Sequence, residues 1–318
     1  MLHFLSHFGL TPGRLASEHP LPGSPERAIR RLALYDSTNR LWMLEQLAPG
    51  QEERRQELGV LLDALSRQDA ALGAVLPAPL EMPNAPRTYV LQAEDSFWQL
   101  SPCVTGMELP RPSYLDDSWR GAAVADFLLA LWRAGNELAT TAPLAVPPPS
   151  PAAQLARYRD ELFAAIDHYR PDLTARLARC RAGLANLPEV LAEQPSVLVH
   201  GDLHPLNILW GTGTPGDTIR SVIDWEFAGT GPMLYDAANC LGCAGFEHPS
   251  ALGRDFAAGL MAGLAAGGVP STGLALLPRM VLASRLGWLS EWLRRDDADL
   301  LDMELDYLDL LADAADRD

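Results

Sequence analysis

The segment VLVHGDLHPLNILW, residues 197–210, places several polar side chains between two apolar runs. Those able to do chemistry are His200, Asp202, His204 and Asn207. Three kinds of structure are compatible with these residue types: a metal site, a phosphoryl-transfer site, or a loop whose polar groups only satisfy one another. Because the flanking runs are of the β-strand type, the polar residues are expected to form a tight loop between two strands.

A second acidic group follows one predicted hairpin later. The stretch GTGTPGDT predicts a turn, and IRSVIDWEF predicts a strand that ends in Asp224 and Glu226. Two antiparallel strands joined in this way would bring Asn207 close to Asp224, with Asp202 at the mouth of the hairpin. Phosphoryl transfer to an alcohol needs a carboxylate to accept a proton and hard oxygen ligands to hold magnesium on the phosphates. The cluster suits that chemistry.

The spacing strengthens this interpretation. Protein kinases use a catalytic loop H-R-D-x-x-x-x-N, followed by an aspartate that binds metal, and His200, Asp202 and Asn207 fall in the same register. A metal site built on histidine is disfavoured, because the sequence has only seven histidines and only two of them are near these carboxylates. A purely structural loop would leave the acidic cluster without a purpose, since burying carboxylates is costly unless they are paired or bind metal.

With these residues in place, the chain resembles the aminoglycoside phosphotransferase and choline kinase-like group of small-molecule kinases. The resemblance rests on HGDLHPLNIL, on VIDWEFAGTGP and on YDAAN, and the stretches DWEFAG and DAAN look closest to the choline, ethanolamine and thiamine kinase branch. It implies an α+β, two-lobed protein-kinase-like fold. Residues 1–105 would form a β-rich lobe that binds nucleotide, and residues 106–318 a mainly helical lobe for catalysis and acceptor binding.

The resemblance also implies roles for residues of the catalytic loop. Asp202 would be the catalytic base. His200 and His204 would shape the loop around it, and Asp236 of YDAAN would brace that loop.

The cofactors implied by the resemblance are Mg²⁺ and ATP, the latter as co-substrate. Asn207 and Asp224 would bind the magnesium, and Glu226 resembles an acidic residue near the metal and the acceptor. The adenine would lie against a hinge around Leu100–Thr105, which includes Leu100 and Cys103.

The predicted N-terminal lobe consists of strands and one helix. RAIRRLALYD and RLWMLEQL are strand-like runs around the turn STN, and RTYVLQAE and SFWQLSPCV predict a second strand pair. Between them, GQEERRQELGVLLDALSRQ predicts an amphipathic helix, with Leu58, Leu61, Leu62 and Leu65 on one face.

One feature of this lobe departs from kinases, which use a lysine on the third strand to contact the α and β phosphates. All 25 basic residues of this chain are arginine, and Glu45 stands in the register of that lysine. Arg40 is the first candidate to contact the phosphates instead, with Arg30 and Arg31 as alternatives. Arginine is longer and planar, so the replacement is not conservative.

Other residues expected to contact the nucleotide also differ from those of kinases. The glutamate expected on the following helix is best matched by Glu57, with Glu53 as an alternative. The expected glycine-rich turn is PLPGSPERA, with the single glycine Gly23. A catalytically degenerate nucleotide-binding pseudokinase with a regulatory role therefore remains the alternative to an enzyme.

The C-terminal region predicts helices, beginning with Ser118–Leu138, and a proline-rich connector at APLAVPPPSP. Trp288 and Trp292 lie one helical turn apart and are candidates to face a cationic acceptor, since aromatic faces attract ammonium groups; the alternative is that they are core residues. The last helix carries an acidic stripe beside an apolar one, interpreted as a solvated face or as a collar for a cationic acceptor.

Composition limits the classes of molecule that this chain is expected to bind. The net charge of −16 argues against nucleic acid and is compatible with a small cationic alcohol as substrate. No membrane segment or signal peptide is predicted, and scattered cysteines fit a cytoplasmic location. The single C-x-x-C, Cys240 and Cys243, is too few ligands for structural zinc and predicts two buried helix cysteines. The sequence does not indicate an oligomeric state.

Overall fold

Five antiparallel strands form the first sheet, in the order β1–β2–β3–β5–β4. The computed structural model describes residues 1–19, 21 and 26–315, so the predicted turn around Gly23 lies outside the described residues. A short helix α1, Phe4–His7, precedes the sheet. The strands are β1 Pro12–Leu15, β2 Ala28–Asp36, β3 Leu41–Leu47, β4 Leu91–Ala93 and β5 Ser96–Pro102.

The two faces of this sheet have different characters because side chains alternate along a strand. On one face, Leu34, Trp42, Leu44, Trp98 and Leu100 pack with α1 into a hydrophobic cluster. The opposite face carries polar side chains from the same strands and lines a cleft; they include Arg31, Glu45, Gln99 and Ser101.

Helix α2, Glu52–Gln68, follows β3, and α3, Ala70–Val75, follows α2. Asp69 between them accepts the backbone N–H groups of Ala71 and Leu72 and caps α3. The four predicted leucines of α2 are buried, but they pack with the helices of the second lobe. The boundary at residues 105 and 106 stays a prediction, and apolar packing crosses it.

The rest of the chain is mainly helical. Helices α4 and α9 pack closely where small residues allow it; a Cβ on Gly121 would lie 1.9 Å from the carbonyl oxygen of Phe256. The predicted helix from Ser118 is α4. Within the described residues, the α-helices of this part of the chain are α4 Ser118–Thr141, α5 Leu155–Tyr169, α6 Ala178–Gly183, α7 Leu187–Ala192, α8 Tyr235–Glu247, α9 Asp255–Ala266, α10 Ser271–Leu274, α11 Leu277–Ser284, α12 Leu286–Arg295 and α13 Ala298–Ala315.

Two small antiparallel strand pairs interrupt these helices. Strand β6, Ser196–Val199, pairs with β9, Gly229–Pro232, and β7, Ile208–Thr214, pairs with β8, Asp217–Val222. The β7–β8 hairpin was expected from the sequence; β1 and β9 were not, because their glycines and prolines have low strand propensity. Within the described residues, no helix is long and apolar enough to cross a membrane.

Candidate active site

The polar loop of the opening motif begins at the end of β6 and is fixed by a carboxylate on α8. Asp236 accepts the backbone N–H groups of His200, at 2.6 Å, and Gly201, at 2.9 Å. Gly201 has a φ of +84°, and a Cβ there would lie 2.3 Å from the carbonyl oxygen of Phe227. The loop therefore needs glycine at this position.

His200 is fully buried beneath the loop. Its Nε2 donates to the carbonyl oxygen of Ile223 at 2.8 Å, and its Nδ1 accepts the backbone N–H of Asp202 at 3.2 Å. Burial lowers the pKa of His200 to about 3, so the ring is neutral. With both nitrogens engaged, His200 braces the loop and offers neither nitrogen to a substrate.

Asp202 lies beside Asn207, whose side-chain Nδ2 donates to the Asp202 carbonyl oxygen at 2.8 Å and to its Oδ2 at 3.3 Å. Burial raises the pKa of Asp202 to about 7; the Asn207 hydrogen bond opposes this shift, and the charges of Asp224 and Glu226 add to it. A carboxyl group with a pKa near 7 is suited to accept a proton at neutral pH.

His204 lies on the other side of Asp202, with Nε2 3.9 Å from Oδ2. Burial lowers the pKa of His204 to about 4, so the contact is between a neutral ring and the carboxyl group. The ring also meets the edge of Trp288, with centroids 6.3 Å apart. His204 therefore links the catalytic loop to α12.

The predicted metal ligands meet at the start of the next loop. The carbonyl oxygen of Asn207 accepts the backbone N–H of Ile223 at 2.9 Å, which places Asp224 next to Asn207. Asp224 has a φ of +64°, which turns the chain out of β8, and Asp224 and Glu226 both line the cleft. Because the amide nitrogen of Asn207 donates to Asp202, its oxygen is left for a cation.

This donor set fits magnesium. Carboxylate and amide oxygens are its preferred protein ligands, and Mg²⁺ is usually bound through one or two carboxylates together with substrate phosphates. Among the residues that the structure describes, no three His, Cys, Asp or Glu side chains form a complete metal cage. The phosphates would complete the coordination.

The two cysteines of the C-x-x-C motif, Cys240 and Cys243, both lie on α8, as the sequence predicts. Only Cys240 is fully buried, whereas Cys243 is partly exposed.

The cleft between the lobes is a cavity of about 550 Å³. Its wall on the sheet side carries Arg31, Glu45 and Arg55, and Arg27 lies near the carboxylates opposite. Cys103 lines the cleft at the predicted hinge, together with Ser101 and other residues of β5 and its continuation.

Three predicted nucleotide contacts are corrected by the structure. Leu100 is wholly buried on the far face of the sheet, because it alternates with Gln99 and Ser101, and its carbonyl oxygen already accepts the N–H of Leu80. Arg40 is exposed in the β2–β3 turn and stacks on Trp42, 4.4 Å from the ring centroid. Neither side chain lines the cleft.

The third correction concerns the helix carboxylate. Glu57 pairs with Arg54 at 3.2 Å and does not contact β3, and its alternative Glu53 is exposed. The α2 residue that contacts Glu45 is Arg55. Sequence reasoning missed it, although Arg55 shares a helix face with Leu58 and Leu62, a signal that it points inward.

On the acceptor side, the two tryptophans differ. Trp288 is partly buried and contacts His204, so it lies next to the catalytic loop. Trp292 is buried, and its Nε1 donates to Glu304 at 3.2 Å. Glu304 forms a fully buried ion pair with Arg285, which sequence reasoning did not foresee. Trp292 is therefore a core residue.

The acidic stripe of α13 lies at the surface. Asp302 and Asp306 both pair with Arg176 at 2.6 Å, and their side chains are more than two-thirds exposed. The apolar stripe beside it is buried, as predicted. These contacts match a solvated, ion-paired face.

A family model described as the phosphotransferase enzyme family matches residues 42–276, about three-quarters of the 318-residue chain. The chain belongs to this family. The resemblance drawn from HGDLHPLNIL, VIDWEFAGTGP and YDAAN is thereby confirmed.

Two curated relatives of this phosphotransferase are homoserine kinases. The one from Methylobacterium radiotolerans is 36% identical over 101 residues, 31% of this chain and 29% of the relative. The one from Methylocella silvestris is 31% identical over 210 residues, 64% of this chain and 59% of the relative. The matches thus span less than two-thirds of the length of either relative.

Solved structures share the fold over nearly the whole chain. The macrolide 2′-phosphotransferase MphH from Brachybacterium faecium has a TM-score of 0.62 at 21% identity, covering 96% of this chain and 97% of its own. Amicoumacin kinase hAmiN, in complex with AMP-PNP, Ca²⁺ and Ami, has a TM-score of 0.68 at 15% identity, covering 98% and 92%. The two-lobed kinase-like fold is confirmed.

The relatives and structures named above are all enzymes. They lend no support to the alternative of a non-catalytic pseudokinase.

Proposed function

We propose that this phosphotransferase moves the γ-phosphoryl group of ATP to a hydroxyl group of a small, amino-bearing metabolite, with Mg²⁺ as cofactor. One observation carries the proposal: Asp202, Asn207 and Asp224 come together at the side of an interlobe cleft whose opposite wall carries arginines. That arrangement supplies a base, cation ligands and positive charge for phosphates.

Nucleotide and metal use are supported by chemistry and by likeness. Asn207, Asp224 and Glu226 present the hard oxygen atoms that would hold magnesium, which when bound offsets the negative charge of the phosphates. One neighbour of the same fold was solved with AMP-PNP and Ca²⁺, and another, aminoglycoside 2′-phosphotransferase-IIIa, with GDP.

Asp202 is the proposed base. The acceptor hydroxyl oxygen forms a bond to the γ phosphorus while the bond from that phosphorus to the bridging oxygen breaks, and ADP leaves. The hydroxyl proton passes to the carboxylate of Asp202. Asn207 holds Asp202 in place, because its Nδ2 donates one hydrogen bond to the backbone carbonyl oxygen of Asp202 and one to the carboxylate Oδ2. Asp236 and His200 hold the loop, and neither takes part in proton transfer.

The acceptor class follows from charge and from the relatives. The protein is strongly acidic, at −16, which favours a cationic acceptor. Trp288 lies beside the catalytic loop, but the guanidinium carbon of Arg285 already stands over its ring, 5.5 Å from the centroid. The curated relatives are named homoserine kinases, and homoserine carries both an ammonium group and a hydroxyl. Homoserine is therefore the first acceptor to test, followed by choline, ethanolamine, thiamine, hexosamines and aminoglycosides.

The test is a coupled assay of ADP release with ATP and Mg²⁺ over this acceptor panel, with the phosphorylated product identified by mass spectrometry. We expect one acceptor to give turnover well above ATP hydrolysis in water, and Asp202→Asn to abolish it. ADP release that is equal with and without every acceptor would contradict the proposal.

A further inference from the structure

Glu45 on β3 is the least expected residue of the cleft. Its side chain is only 2% exposed, and it lies on the wall where the nucleotide phosphates are proposed to bind. Kinases place a lysine on this strand and a glutamate on the following helix, and the pair orients the α and β phosphates. A lone buried carboxylate there would repel them.

Glu45 is not alone. Arg31 on the neighbouring strand β2 donates from Nε to Oε1 at 2.7 Å, and Arg55 on α2 approaches both carboxylate oxygens, NH1 to Oε2 and NH2 to Oε1, each at 3.4 Å. Two guanidinium groups and one carboxylate leave this cluster with a net charge of +1. Within this cluster, the guanidinium groups therefore outnumber the carboxylate of Glu45.

The arrangement exchanges the charges of the kinase pair between strand and helix. The strand residue, Glu45, carries the negative charge, and the helix residue that faces it, Arg55, carries the positive charge. Arginine suits the exchanged position, because its planar guanidinium has five N–H donors. Contacts to Glu45 occupy two terminal nitrogens of Arg55 and leave further N–H groups for phosphate oxygens.

Arg27 is a weaker candidate for the same task. Its guanidinium pairs with Glu226 and lies 3.6 Å from Asp224, so it serves the carboxylates of the opposite lobe. Arg55 has its ion pair within the sheet-side wall. Both arginines are partly exposed, so the location of the ion pair, and not exposure, distinguishes them.

We infer that the residues that contact the nucleotide phosphates in this enzyme have charges opposite to those of the lysine–glutamate pair of kinases. Arg55 of α2 binds the α and β phosphates, and Glu45 is the positioning residue that holds Arg55 and Arg31 toward them. This inference rests on the proposed function, because it names the residues that hold the nucleotide. It explains how a chain without lysine keeps a cationic contact to the phosphates.

The test compares ADP with adenosine, because the gap between their affinities measures the phosphate contacts. Both are titrated calorimetrically without metal, in the presence of EDTA, so that the magnesium ligands do not contribute. In the wild type, we expect ADP to bind at least tenfold more tightly than adenosine. Arg55→Gln should shrink that gap by tenfold or more and leave adenosine affinity unchanged, which also shows that the variant is folded.

Glu45→Gln provides a test of opposite sign. If Glu45 positions the arginines, its replacement weakens ADP binding threefold or more. If Glu45 only repels the phosphates, the same replacement strengthens ADP binding, and the inference is wrong. The double exchange Glu45→Arg with Arg55→Glu restores the usual polarity and should bind ADP more tightly than Arg55→Glu alone.

Arg67→Gln is the matched control, since Arg67 lies on the same helix, is 66% exposed and pairs with Asp63 and Glu81 outside the cleft. Its ADP and adenosine affinities should equal those of the wild type. An unchanged gap in Arg55→Gln would overturn the inference while leaving the proposed function standing. A wild type that binds neither ADP nor adenosine would overturn both.

Discussion

Asp202 has the position and the pKa that a proton acceptor needs. Asn207 fixes its carboxylate, and burial raises its pKa to about 7. The nearby histidines are poor candidates for this task, because burial lowers the pKa of His200 to about 3 and that of His204 to about 4 and so makes both rings weak bases. Proton acceptance in the loop therefore depends on one residue.

Replacing that residue tests the assignment. Asp202→Asn keeps the size of the side chain and removes the base, so kcat should fall about 10²–10⁴-fold, the usual contribution of general base catalysis. ADP affinity, measured by calorimetry, should change little. A variant that retains most of the wild-type turnover would exclude Asp202 as the base.

The same residue sets an expected pH dependence. A protonated carboxyl group cannot accept the hydroxyl proton, so activity requires the ionised form. The value of kcat/KM for ATP, which reports pKa values of the free enzyme, should rise about tenfold per pH unit below pH 7 and level off above it. His200 and His204 titrate at lower pH and do not contribute in this window. An inflection near pH 4 would show that burial does not raise the pKa of Asp202 in the active enzyme.

Asp224 is expected to carry the magnesium dependence of nucleotide binding. Asp224→Ala removes a carboxylate oxygen ligand, so adding Mg²⁺ should no longer tighten ADP binding, whereas Asn207→Ala should weaken the effect. Calorimetric titration of ADP with and without Mg²⁺ measures both. Equal magnesium dependence in the wild type and in Asp224→Ala would show that the metal binds elsewhere.

At this scale, the sequence predicts one side of the cleft better than the other. Asp202, Asn207 and Asp224 are joined by a local hairpin, so spacing alone brings them together. Arg31 and Arg55 come from a strand and a helix, and only tertiary packing makes them neighbours. The sequence does not place Arg40 correctly, because the direction of a side chain next to a turn is undefined until the strand register is known.

At the scale of elements, α2 connects the two walls of the cleft. Arg54 donates to the carbonyl oxygen of Glu226, from Nε at 3.0 Å and NH2 at 2.8 Å, and to that of Ala228 at 2.6 Å. Arg55, the next residue, contacts Glu45. The first turn of α2 thus joins the loop of the proposed metal ligands to the sheet-side wall of the cleft, which carries Glu45.

The hydrogen bonds of Arg54 to the carbonyl oxygens of Glu226 and Ala228, called here the Arg54 clamp, should stabilise both the fold and the loop of the proposed metal ligands. Arg54→Gln loses three hydrogen bonds to the carbonyl oxygens of Glu226 and Ala228 and the ion pair with Glu57, so we expect about 1–3 kcal/mol less stability and weaker binding of ADP with Mg²⁺. Thermal unfolding and calorimetry measure the two effects, with Arg67→Gln on the same helix as the control. If Arg54→Gln binds ADP with Mg²⁺ as tightly as the wild type, the Arg54 clamp does not order the loop that carries Asp224 and Glu226.

Element prediction succeeded where patterns were strong. The β2–β3 and β7–β8 hairpins, α2 and α4 follow from alternation or helical periodicity. Strand β9 has the sequence GTGP, which has little strand propensity, and it is extended because β6 offers it a partner. Pairing between distant segments overrides local preference there.

At the scale of the whole molecule, the hydrophobic cores do not separate as the lobes do. The sheet has a small cluster of its own, which includes Trp42 and Trp98. The buried leucines of α2 instead join the large cluster of the helical lobe, which includes Trp132 and Trp225. Together with the hydrogen bonds from Arg54 to the carbonyl oxygens of Glu226 and Ala228, this packing joins the N-terminal sheet to the helical part of the chain.

We therefore expect the 318-residue chain to unfold as one cooperative unit. Tryptophan fluorescence reports on both clusters and far-ultraviolet circular dichroism on the helices, so their thermal transitions should coincide. ADP with Mg²⁺ at about 100 times its dissociation constant should shift the whole transition, by about 2.7 kcal/mol, because a ligand held by both lobes stabilises both. Two resolved transitions, with only the later one moved by ADP, would show that the small sheet unfolds independently and that α2 does not couple the lobes.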